Sequence, residues 1–265
     1  YGIPIVAVRA VTTAREAAAA AAELGTPVAL KIQSPQVTHK TDVGGVVLDL
    51  VGPKAVEEAA AAMVTRIARE VPTAQLDGFT VEPMVKRPGA YELIVGISSD
   101  SQFGPTILFG QGGTAVEIVG DKALALPPLN MNLAREIMSR TRIHRLLQGY
   151  RGLPAADLDA IALTLIKVSQ LAIDLPEIVE LDINPLLADE FGVIALDARI
   201  RVAPAEKPGT ERLAIRPYPK ELEAVISLDD GRTLLLRPVV PEDEPSLQAG
   251  FARLSPKEVR LRFFV

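Results

Sequence analysis

Residues 177–197 read EIVELDINPLLADEFGVIALD, and this stretch decides the interpretation of the chain. From residue 179 to residue 184, hydrophobic side chains alternate with oxygen-bearing ones. A period of two predicts a strand that is buried on one face only. Glu180, Asp182 and Asn184 would therefore share the other face of that strand.

A second strand is expected to return beside the first. Pro185 has no N–H group to donate to a sheet ladder, so it is expected to end the first strand. Residues 188–192 (ADEFG) have turn chemistry. The hydrophobic run that follows leads to Asp197, which the alternation places on the same face as Val193 and Ala195. The two strands would bring carboxylates and one amide oxygen into a common space.

These oxygens are the ligands that a hard divalent cation prefers. Proteins hold Mg²⁺ with one or two carboxylates, and water and phosphate oxygens complete its octahedron. For any single residue, the polar outer face of a surface hairpin is the simpler interpretation. For the group of Asp182, Asn184 and Asp197, the hypothesis is a magnesium site.

The overall composition bounds the class of protein. The chain has 265 residues, of which 48% are hydrophobic, so a substantial core is expected and general disorder is excluded. A formal charge of -5 gives no reason to expect a nucleic-acid partner, and no apolar run approaches the roughly 20 residues of a membrane span. The absence of cysteine excludes disulfides and thiolate chemistry. The expected location is the cytoplasm, and the opening residues, which lack Met, resemble the interior of a longer protein.

The first part of the chain predicts a helix and a strand–loop–strand unit. Thr13 and Glu16 have the spacing of a capping box, and Gly25 is placed to end the alanine-rich helix that they begin. A polar loop over residues 33–45 (QSPQVTHKTDVGG) then lies between two short apolar strands, and such a loop can close over phosphates with backbone N–H groups as donors. The other predicted elements are helices over 53–70, 133–148 and 155–173 and strands over 79–82, 91–97 and 106–109.

The last part of the chain changes character. Residues 203–220 are rich in proline and are expected to be a linker. Asp229, Asp230 and Gly231 then predict a hairpin turn between two strands. The segment 221–265 is interpreted as a second, truncated domain.

Several motifs in this order resemble the ATP-grasp domain of NDP-forming acyl-CoA synthetases, which are relatives of the nucleotide-binding subunit of succinyl-CoA synthetase. The resemblance covers residues 1–202 and rests on VALKIQSPQVTHKTDVGGV, VEPMV, YELIVG, GQGGTAVE, GYRG and ELDINPLLADEFGVIALDARI. It implies a mixed α/β (α+β) architecture: an ATP-grasp fold whose two lobes, at about 1–78 and 79–202, clamp a nucleotide.

The resemblance also implies cofactors and site residues. Mg and ATP or ADP would be bound, with a strand lysine on the phosphates, a hinge on the adenine edge and a glutamate on the ribose hydroxyls. The nucleotide-binding residues would be Lys31, Lys40, Gly44, Gly45, Glu82, Pro83, Met84, Val85 and Glu92, and the metal ligands would be Asn184, Asp197 and Asp182.

His39 is the catalytic residue that the resemblance implies. In this family a phosphohistidine carries phosphate between acyl phosphate and nucleotide, and the HKTDVGG motif matches a histidine of that kind. Neutral imidazole is nucleophilic near neutral pH. Lys40 and the amides of Gly44 and Gly45 would stabilise the transferring charge. Without the motif, an ordinary loop histidine would be the simpler interpretation.

The tail, LLLRPVVPEDEPSLQAGFARLSPKEVRLRFF, resembles the first strand and helix of a GNAT acetyltransferase. Bacterial protein lysine acetyltransferases fuse such a domain to an acyl-CoA-synthetase-like region. The segment would stop before the loop that grips the pyrophosphate of acetyl-CoA. It leaves open the alternative that the ATP-grasp-like domain regulates an acetyltransferase.

The main hypothesis is therefore the nucleotide-binding part of an NDP-forming acyl-CoA synthetase. Its partners would be the CoA-binding and ligase domains, upstream in a longer chain or on another subunit, and acyl-CoA, with self-association as a homo-oligomer also open. A carboxylate–amine ligase with the same fold is the weaker alternative, because it would explain neither His39 nor the tail.

Overall fold

The computed structural model describes residues 1–25, 27–37, 40–113, 120–205, 207–215 and 219–263. The chain divides into two compact units, Tyr1–Leu213 and Ala214–Val265. The first unit contains, in chain order, β1 (Arg9–Val11), α1 (Ala14–Leu24), β2 (Val28–Gln33), β3 (Val46–Leu50), α2 (Pro53–Glu70), β4 (Gly78–Pro83), β5 (Tyr91–Asp100), β6 (Gly104–Gln111), β7 (Lys122–Ala125), α3 (Met131–Ser139), α4 (Ile143–Leu147), α5 (Leu158–Asp174), β8 (Ile178–Asp189), β9 (Gly192–Ala195) and β10 (Ala198–Val202).

The smaller sheet has the strand order β1-β4-β2-β3. Helices α1 and α2 share one apolar core with it, and Val28, Leu30 and Ile32 of β2 are fully buried in that core. Because side chains alternate along a strand, Lys31 lies on the opposite face. We refer to this sheet and its helices as the small lobe.

The capping box predicted for α1 is present. The Thr13 side chain accepts a hydrogen bond from the Glu16 N–H at 3.2 Å, and the Glu16 carboxylate accepts one from the Thr13 N–H at 3.3 Å. Gly25 ends the helix with a left-handed φ of 66°, which glycine adopts without steric cost. The start and end of this helix therefore follow from local sequence alone.

The larger sheet has the order β10-β8-β5-β6-β7, and β9 also pairs with β8. Helices α3, α4 and α5 pack against one face of it around Phe109, Leu165 and Leu181. The opposite face carries the polar residues that the sequence singled out. We refer to this sheet and its helices as the large lobe.

The expected boundary between the lobes differs from the observed one. Strand β4 pairs with both β1 and β2, so the small lobe extends to Pro83 rather than ending at residue 78. The apolar run of β4 predicts a strand, but nothing in it specifies which sheet the strand joins.

The prediction of one helix over 133–148 is wrong. The helix ends at Ser139 and α4 begins at Ile143. The buried Asp121 carboxylate accepts hydrogen bonds from the N–H groups of Arg142 and Ile143, both at 2.7 Å. A side chain from the residue just before β7 therefore caps a second helix, which periodicity within residues 133–148 does not reveal.

The second unit contains β11 (Ala224–Ser227), β12 (Thr233–Leu236), α6 (Glu244–Ala252) and α7 (Pro256–Phe263). Strands β11 and β12 form the predicted hairpin, and Gly231 lies in its turn with a φ of 83°. Every residue of both strands is exposed. Among the described residues, no helix has the length and apolar character that crossing a membrane requires.

Candidate functional site

The site is built on an interruption in the hairpin that β8 forms with β9 and β10. Contrary to expectation, Pro185 does not end β8, which continues to Asp189. The Pro185 carbonyl accepts a hydrogen bond from the Leu196 N–H at 3.0 Å, and the Asn184 N–H donates to the Asp197 carbonyl at 3.2 Å. Pro185 is tolerated because it sits at this irregularity, where its carbonyl is used and the ladder requires no N–H.

The same interruption changes the face on which Asp197 lies. Val193 and Ala195 belong to the core of the large lobe, as their apolar character predicts. Asp197 does not share their face, because the alternation slips between β9 and β10. It shares the polar face with Arg199, which pairs in register with Asp182. The predicted placement of Asp197 beside Val193 and Ala195 is therefore wrong, although its proximity to Asn184 is confirmed.

Acidic and basic residues alternate across β8 and β10 on this face. Arg201 is opposite Glu180, with Nε at 3.0 Å from Oε2, and Arg199 is opposite Asp182. The sequence analysis missed both arginines. The signal was present, since Arg199 and Arg201 repeat at a spacing of two on the strand that returns beside Glu180 and Asp182.

Asp182 carries the strongest electrostatic signal of the site. Burial raises its pKa above the ordinary value of 3.8; the Arg199 guanidinium opposes this shift, and the Glu180 and Asp197 carboxylates add to it. The pKa is thus raised although an arginine faces it. A cation bound among these oxygens would relieve the repulsion.

The oxygen donors fit a hard cation that takes only a few of its ligands from the protein. In the part of the chain that the structure describes, no three acidic or histidine side chains are grouped as a metal cage. Asn184 supplies an amide oxygen and Asp197 a carboxylate at the hairpin interruption, with Asp182 nearby. This composition suits Mg²⁺, which keeps several waters and phosphate oxygens as ligands.

The predicted glycine-rich turn lies over this polar face. The Gly113 N–H donates to Asn184 Oδ1 at 2.9 Å and thereby orients the amide. A Cβ at Gly113 would lie 2.0 Å from Glu92 Oε2, so a side chain there would displace the glutamate. Glu92 and Asn184 therefore lie on either side of one glycine.

In the small lobe, Lys31 is held in place without a ligand. Its Nζ lies 2.7 Å from Glu82 Oε2, and the two side chains are only 12% and 9% exposed. The same Nζ donates at 3.3 Å to the carbonyl of Leu196, the residue before Asp197. The ammonium group therefore connects the small lobe to the hairpin interruption of the large lobe.

The predicted hinge spans Glu82 to Val85. The Met84 N–H donates to the Pro27 carbonyl at 2.8 Å, so this group is not free to bind a ligand. No hydrogen bond among the described residues uses the Val85 N–H. Beyond the hinge, Arg87 binds Asp189 at 3.0 Å and ties this connection to the tip of the β8–β9 hairpin.

The loop predicted to cover phosphates is only partly described. His39 lies outside the described residues. The Gly44 N–H donates to the Thr41 carbonyl at 3.0 Å, and the Gly45 N–H to the Lys40 carbonyl at 2.7 Å. In this conformation both glycine N–H groups donate to carbonyls of the loop, so they are not presented as donors to a phosphate. A side chain would not fit at Gly45, because its Cβ would lie 2.6 Å from Ile32 Cδ1.

The N-terminal segment fixes the outer edge of the interruption, which the sequence analysis also missed. The Ala195 N–H donates to the Pro4 carbonyl at 2.9 Å, and the Val6 N–H donates to the Ala195 carbonyl at 3.0 Å. The chain then crosses to the small lobe as β1. Ala195, two residues before Asp197, is thus hydrogen-bonded through both its N–H and its carbonyl.

Most of the chain matches a known protein family. The ATP-grasp domain family matches residues 1–202, which include both lobes and the polar face between them. The chain belongs to this family. The prediction of an ATP-grasp fold is confirmed.

Two curated relatives of this ATP-grasp chain differ in the share of their own length that it covers. It is 40% identical over 200 residues to acetate–CoA ligase (ADP-forming) I of Archaeoglobus fulgidus, and the match covers 76% of this chain and 29% of the relative. It is 38% identical over 200 residues to the beta subunit of acetate–CoA ligase (ADP-forming) I of Pyrococcus furiosus, covering 76% of this chain and 85% of the subunit.

A solved structure shares the architecture. The dinucleotide-forming acetyl-coenzyme A synthetase 1 of Ca. Korarchaeum cryptofilum, in complex with coenzyme A and Ca-AMPCP, is 38% identical with a TM-score of 0.72, covering 77% of this chain and 88% of that chain. The same synthetase has been solved with coenzyme A and Mg-AMPPCP, its phosphohistidine segment pointing towards the nucleotide-binding site; there the identity is 36%, the TM-score 0.65, and the coverage 77% and 87%.

Proposed function

We propose that residues 1–202 are the nucleotide-binding part of an ADP-forming acid–CoA ligase, which exchanges a phosphoryl group between a histidine nitrogen and the terminal phosphate oxygen of ADP. One observation carries this proposal. The Lys31 ammonium is bonded to the Leu196 carbonyl, next to Asn184 and Asp197. A fixed cation and a set of hard oxygen ligands thus meet between two lobes, as phosphoryl transfer requires.

The nucleotide would lie along the space between the lobes. Lys31 would contact phosphates, the hinge residues Glu82 to Val85 would face the adenine, and Glu92 the ribose. Ala29 and Leu187 support the adenine end, since both are buried yet belong to neither apolar core. Each lies on the strand face opposite its core, which suits an apolar wall for a base.

Asn184 and Asp197 would hold Mg²⁺, with Asp182 in support. The cation would neutralise phosphate charge while the protein orients the reacting groups. Burial raises the pKa of Asp182, and the Glu180 and Asp197 carboxylates add to the shift; this supports the proposal, because a bound cation would favour the ionised carboxyl. The bound Mg-AMPPCP of the Korarchaeum synthetase is consistent with it.

His39 would be the histidine that carries the phosphoryl group, and Lys40 would supply positive charge beside it. The Korarchaeum synthetase, whose phosphohistidine segment points to its nucleotide site, supports a histidine-borne step in the family. For Gly44 and Gly45 to act as donors, the loop would have to release the bonds to Thr41 and Lys40 described above.

The remaining chemistry would come from partners. The chain spans 29% of the single-chain Archaeoglobus ligase but 85% of the Pyrococcus beta subunit. CoA-binding and ligase domains would therefore lie either on the same longer chain or on another subunit, and would supply acyl-CoA chemistry in the cytoplasm.

The second unit carries a separate proposal. The hairpin of β11 and β12 exposes apolar residues such as Val225 and Leu235. With the two helices that follow, this is the element order expected for the start of a GNAT domain, and the ATP-grasp unit would then regulate an acetyltransferase. Acetyl-CoA binding by a chain that carries the whole second domain would test this alternative.

Calorimetry of ADP and ATP, with and without Mg²⁺, tests the main proposal. In the wild-type chain, Mg²⁺ should strengthen binding of both nucleotides. Asp197→Asn should remove this dependence and weaken Mg²⁺-nucleotide binding by about 100-fold, since even outer-shell changes at metal sites cost about 10- to 100-fold. Glu180→Gln is the matched control, because Glu180 lies on the same face but is paired with Arg201. Equal effects of the two variants would contradict the metal assignment.

A further inference from the structure

Two arginines of β10 share the polar face of the large lobe but differ in their surroundings. Arg201 is paired with Glu180 at 3.0 Å. Arg199 is exposed and lies across from Asp182. No ion pair within 4.0 Å and no hydrogen bond among the described residues uses the Arg199 guanidinium. Arg201 is therefore held in an ion pair, whereas Arg199 acts on Asp182 only beyond 4.0 Å, so its N–H donors can turn to a ligand.

The position of Arg199 along the strand gives it reach to the proposed metal site. It follows Asp197 by two residues, which in a strand corresponds to about 7 Å. An extended arginine side chain spans a similar distance. Its guanidinium can therefore contact an anion that is bound at Asn184 and Asp197.

The order of groups along the face identifies which part of a nucleotide this would be. The hinge follows Glu82, and the Lys31 ammonium lies between Glu82 and Leu196. Asp197 comes next, and Arg199 lies farther from the hinge, towards the end of the sheet marked by Glu180. A nucleotide whose base is at the hinge would place its last phosphate nearest Arg199.

The neighbouring strand places no side chain on the face beside Asp182. Gly96 of β5 pairs with Asp182 on the side opposite Arg199. It has no side chain to fill the face, and a Cβ there would lie 2.7 Å from the Leu181 carbonyl. Gly96 is buried, and it allows the backbones of β5 and β8 to approach closely beside Asp182.

We propose that Arg199 binds the terminal phosphate of ATP and so distinguishes ATP from ADP. This inference rests on the proposed nucleotide site. A guanidinium presents paired donors that match phosphate oxygens. Because ADP ends one phosphate earlier, it would not reach Arg199, and the residue would contribute chiefly to the affinity for the triphosphate.

The expected result is a change in the ratio of two affinities. Arg199→Ala should weaken binding of Mg²⁺ with a non-hydrolysable ATP analogue by about 10- to 100-fold, the range for a lost hydrogen bond to a charged group. Binding of Mg²⁺-ADP should change by less than about 3-fold. Arg199→Lys should lose part of the effect, since lysine keeps the charge but not the paired donors.

Calorimetry on the whole chain, with Arg201→Ala as the matched control, measures this ratio. Arg201→Ala should leave the ATP-to-ADP ratio at the wild-type value. The inference is overturned if Arg199→Ala weakens both nucleotides equally, or leaves both unchanged, while the wild type binds them. If the wild type binds neither nucleotide, the proposed function fails as well. Urea unfolding of each variant shows whether an affinity loss reflects a loss of folding.

Discussion

The two lobes present opposite electrostatic conditions to the space between them. In the small lobe, one buried cation is matched by one buried carboxylate, Lys31 with Glu82 at 2.7 Å. In the large lobe, Glu180, Asp182 and Asp197 interact with one another, and the pKa of Asp182 remains raised although Arg199 faces it. The small-lobe pair is complete without a ligand, whereas Asp182 of the large lobe has no ion pair within 4.0 Å in the part of the chain that the structure describes.

This difference indicates how the proposed site is prepared. A lysine held by a carboxylate and a carbonyl loses little side-chain freedom when phosphates arrive. Asp182, in contrast, is half-buried with two other carboxylates near it, and a bound cation would favour its ionised form. The small lobe would supply a preformed contact for phosphate, and the large lobe would supply carboxylates that a bound metal ion stabilises.

The largest effect is expected on stability in the small lobe. Lys31→Ala leaves the Glu82 carboxylate buried without its partner, which costs about 3 kcal/mol or more when a buried pair is broken. Urea unfolding measures this loss. Lys86→Ala is the control, because the Lys86–Asp49 pair is exposed, at 68% and 61%, and should contribute less than about 1 kcal/mol.

Removing both partners refines this result. Lys31→Met combined with Glu82→Leu should recover most of the stability lost in Lys31→Ala, since an apolar pair has no desolvated charge. If Lys31→Ala costs no more than Lys86→Ala, the contact with Glu82 is not a compensated buried pair, and the contrast between the lobes disappears.

Local sequence patterns predicted those parts of the fold whose causes are local. The capping box of Thr13 and Glu16 is one such part, and the polar alternation of Glu180, Asp182 and Asn184 is another. The failures have causes elsewhere in the chain. Asp121 caps a helix more than 20 residues away, which splits the predicted helix.

The site shows the same limit. The alternation correctly grouped Asp182 and Asn184, but it failed at Asp197. The face that points to the core changes there, since Leu181 and Ile183 are core residues before the interruption and Leu186 and Ala188 after it, and the pairing of β8 with β5 shifts by one residue. Likewise, Lys31 and Glu82 were both predicted as site residues, yet their ion pair depends on the register of β2 with β4. Residue types and the faces of a regular strand can be read from the sequence, whereas the face at an irregularity and the partners across strands require the structure.

A smaller effect is expected where a glycine separates Glu92 from Asn184 in the large lobe. Gly113→Ala places a side chain in a backbone with φ of 86° and displaces Glu92. The backbone term should cost about 1–2 kcal/mol, and ADP affinity should fall as well if Glu92 binds the ribose. Gly52→Ala in the small lobe is the control: its φ is 83°, but nothing lies within 4 Å of the added Cβ.

The two glycine variants separate strain from binding. Both should lower the urea midpoint by similar amounts, whereas only Gly113→Ala should weaken ADP in calorimetry. Equal ADP affinity in the two variants would remove Glu92 from the proposed nucleotide site and leave the glycine with a structural role alone.

The smallest effect is expected at Asp182, and its sign tests the uncompensated character of the large lobe. Because the folded chain raises the pKa of Asp182 above the ordinary 3.8, folding favours the protonated carboxyl. Its contribution to stability is greatest below that value and is lost as the pH rises through the raised pKa. At neutral pH and without Mg²⁺, Asp182→Asn should therefore be more stable than the wild type, by up to about 1 kcal/mol given the solvent screening at this half-buried site. The difference should shrink towards zero as the pH falls below 3.8.

Added Mg²⁺ should reverse the order of stability of Asp182→Asn and the wild type, since a cation stabilises the carboxylate and does less for the amide. Glu180→Gln should show no such gain, because it breaks the pair with Arg201. Urea unfolding across this pH range, in EDTA and in Mg²⁺, measures all three effects. A less stable Asp182→Asn at neutral pH in EDTA would mean that Arg199 already compensates the acidic face, and the two lobes would then be electrostatically alike.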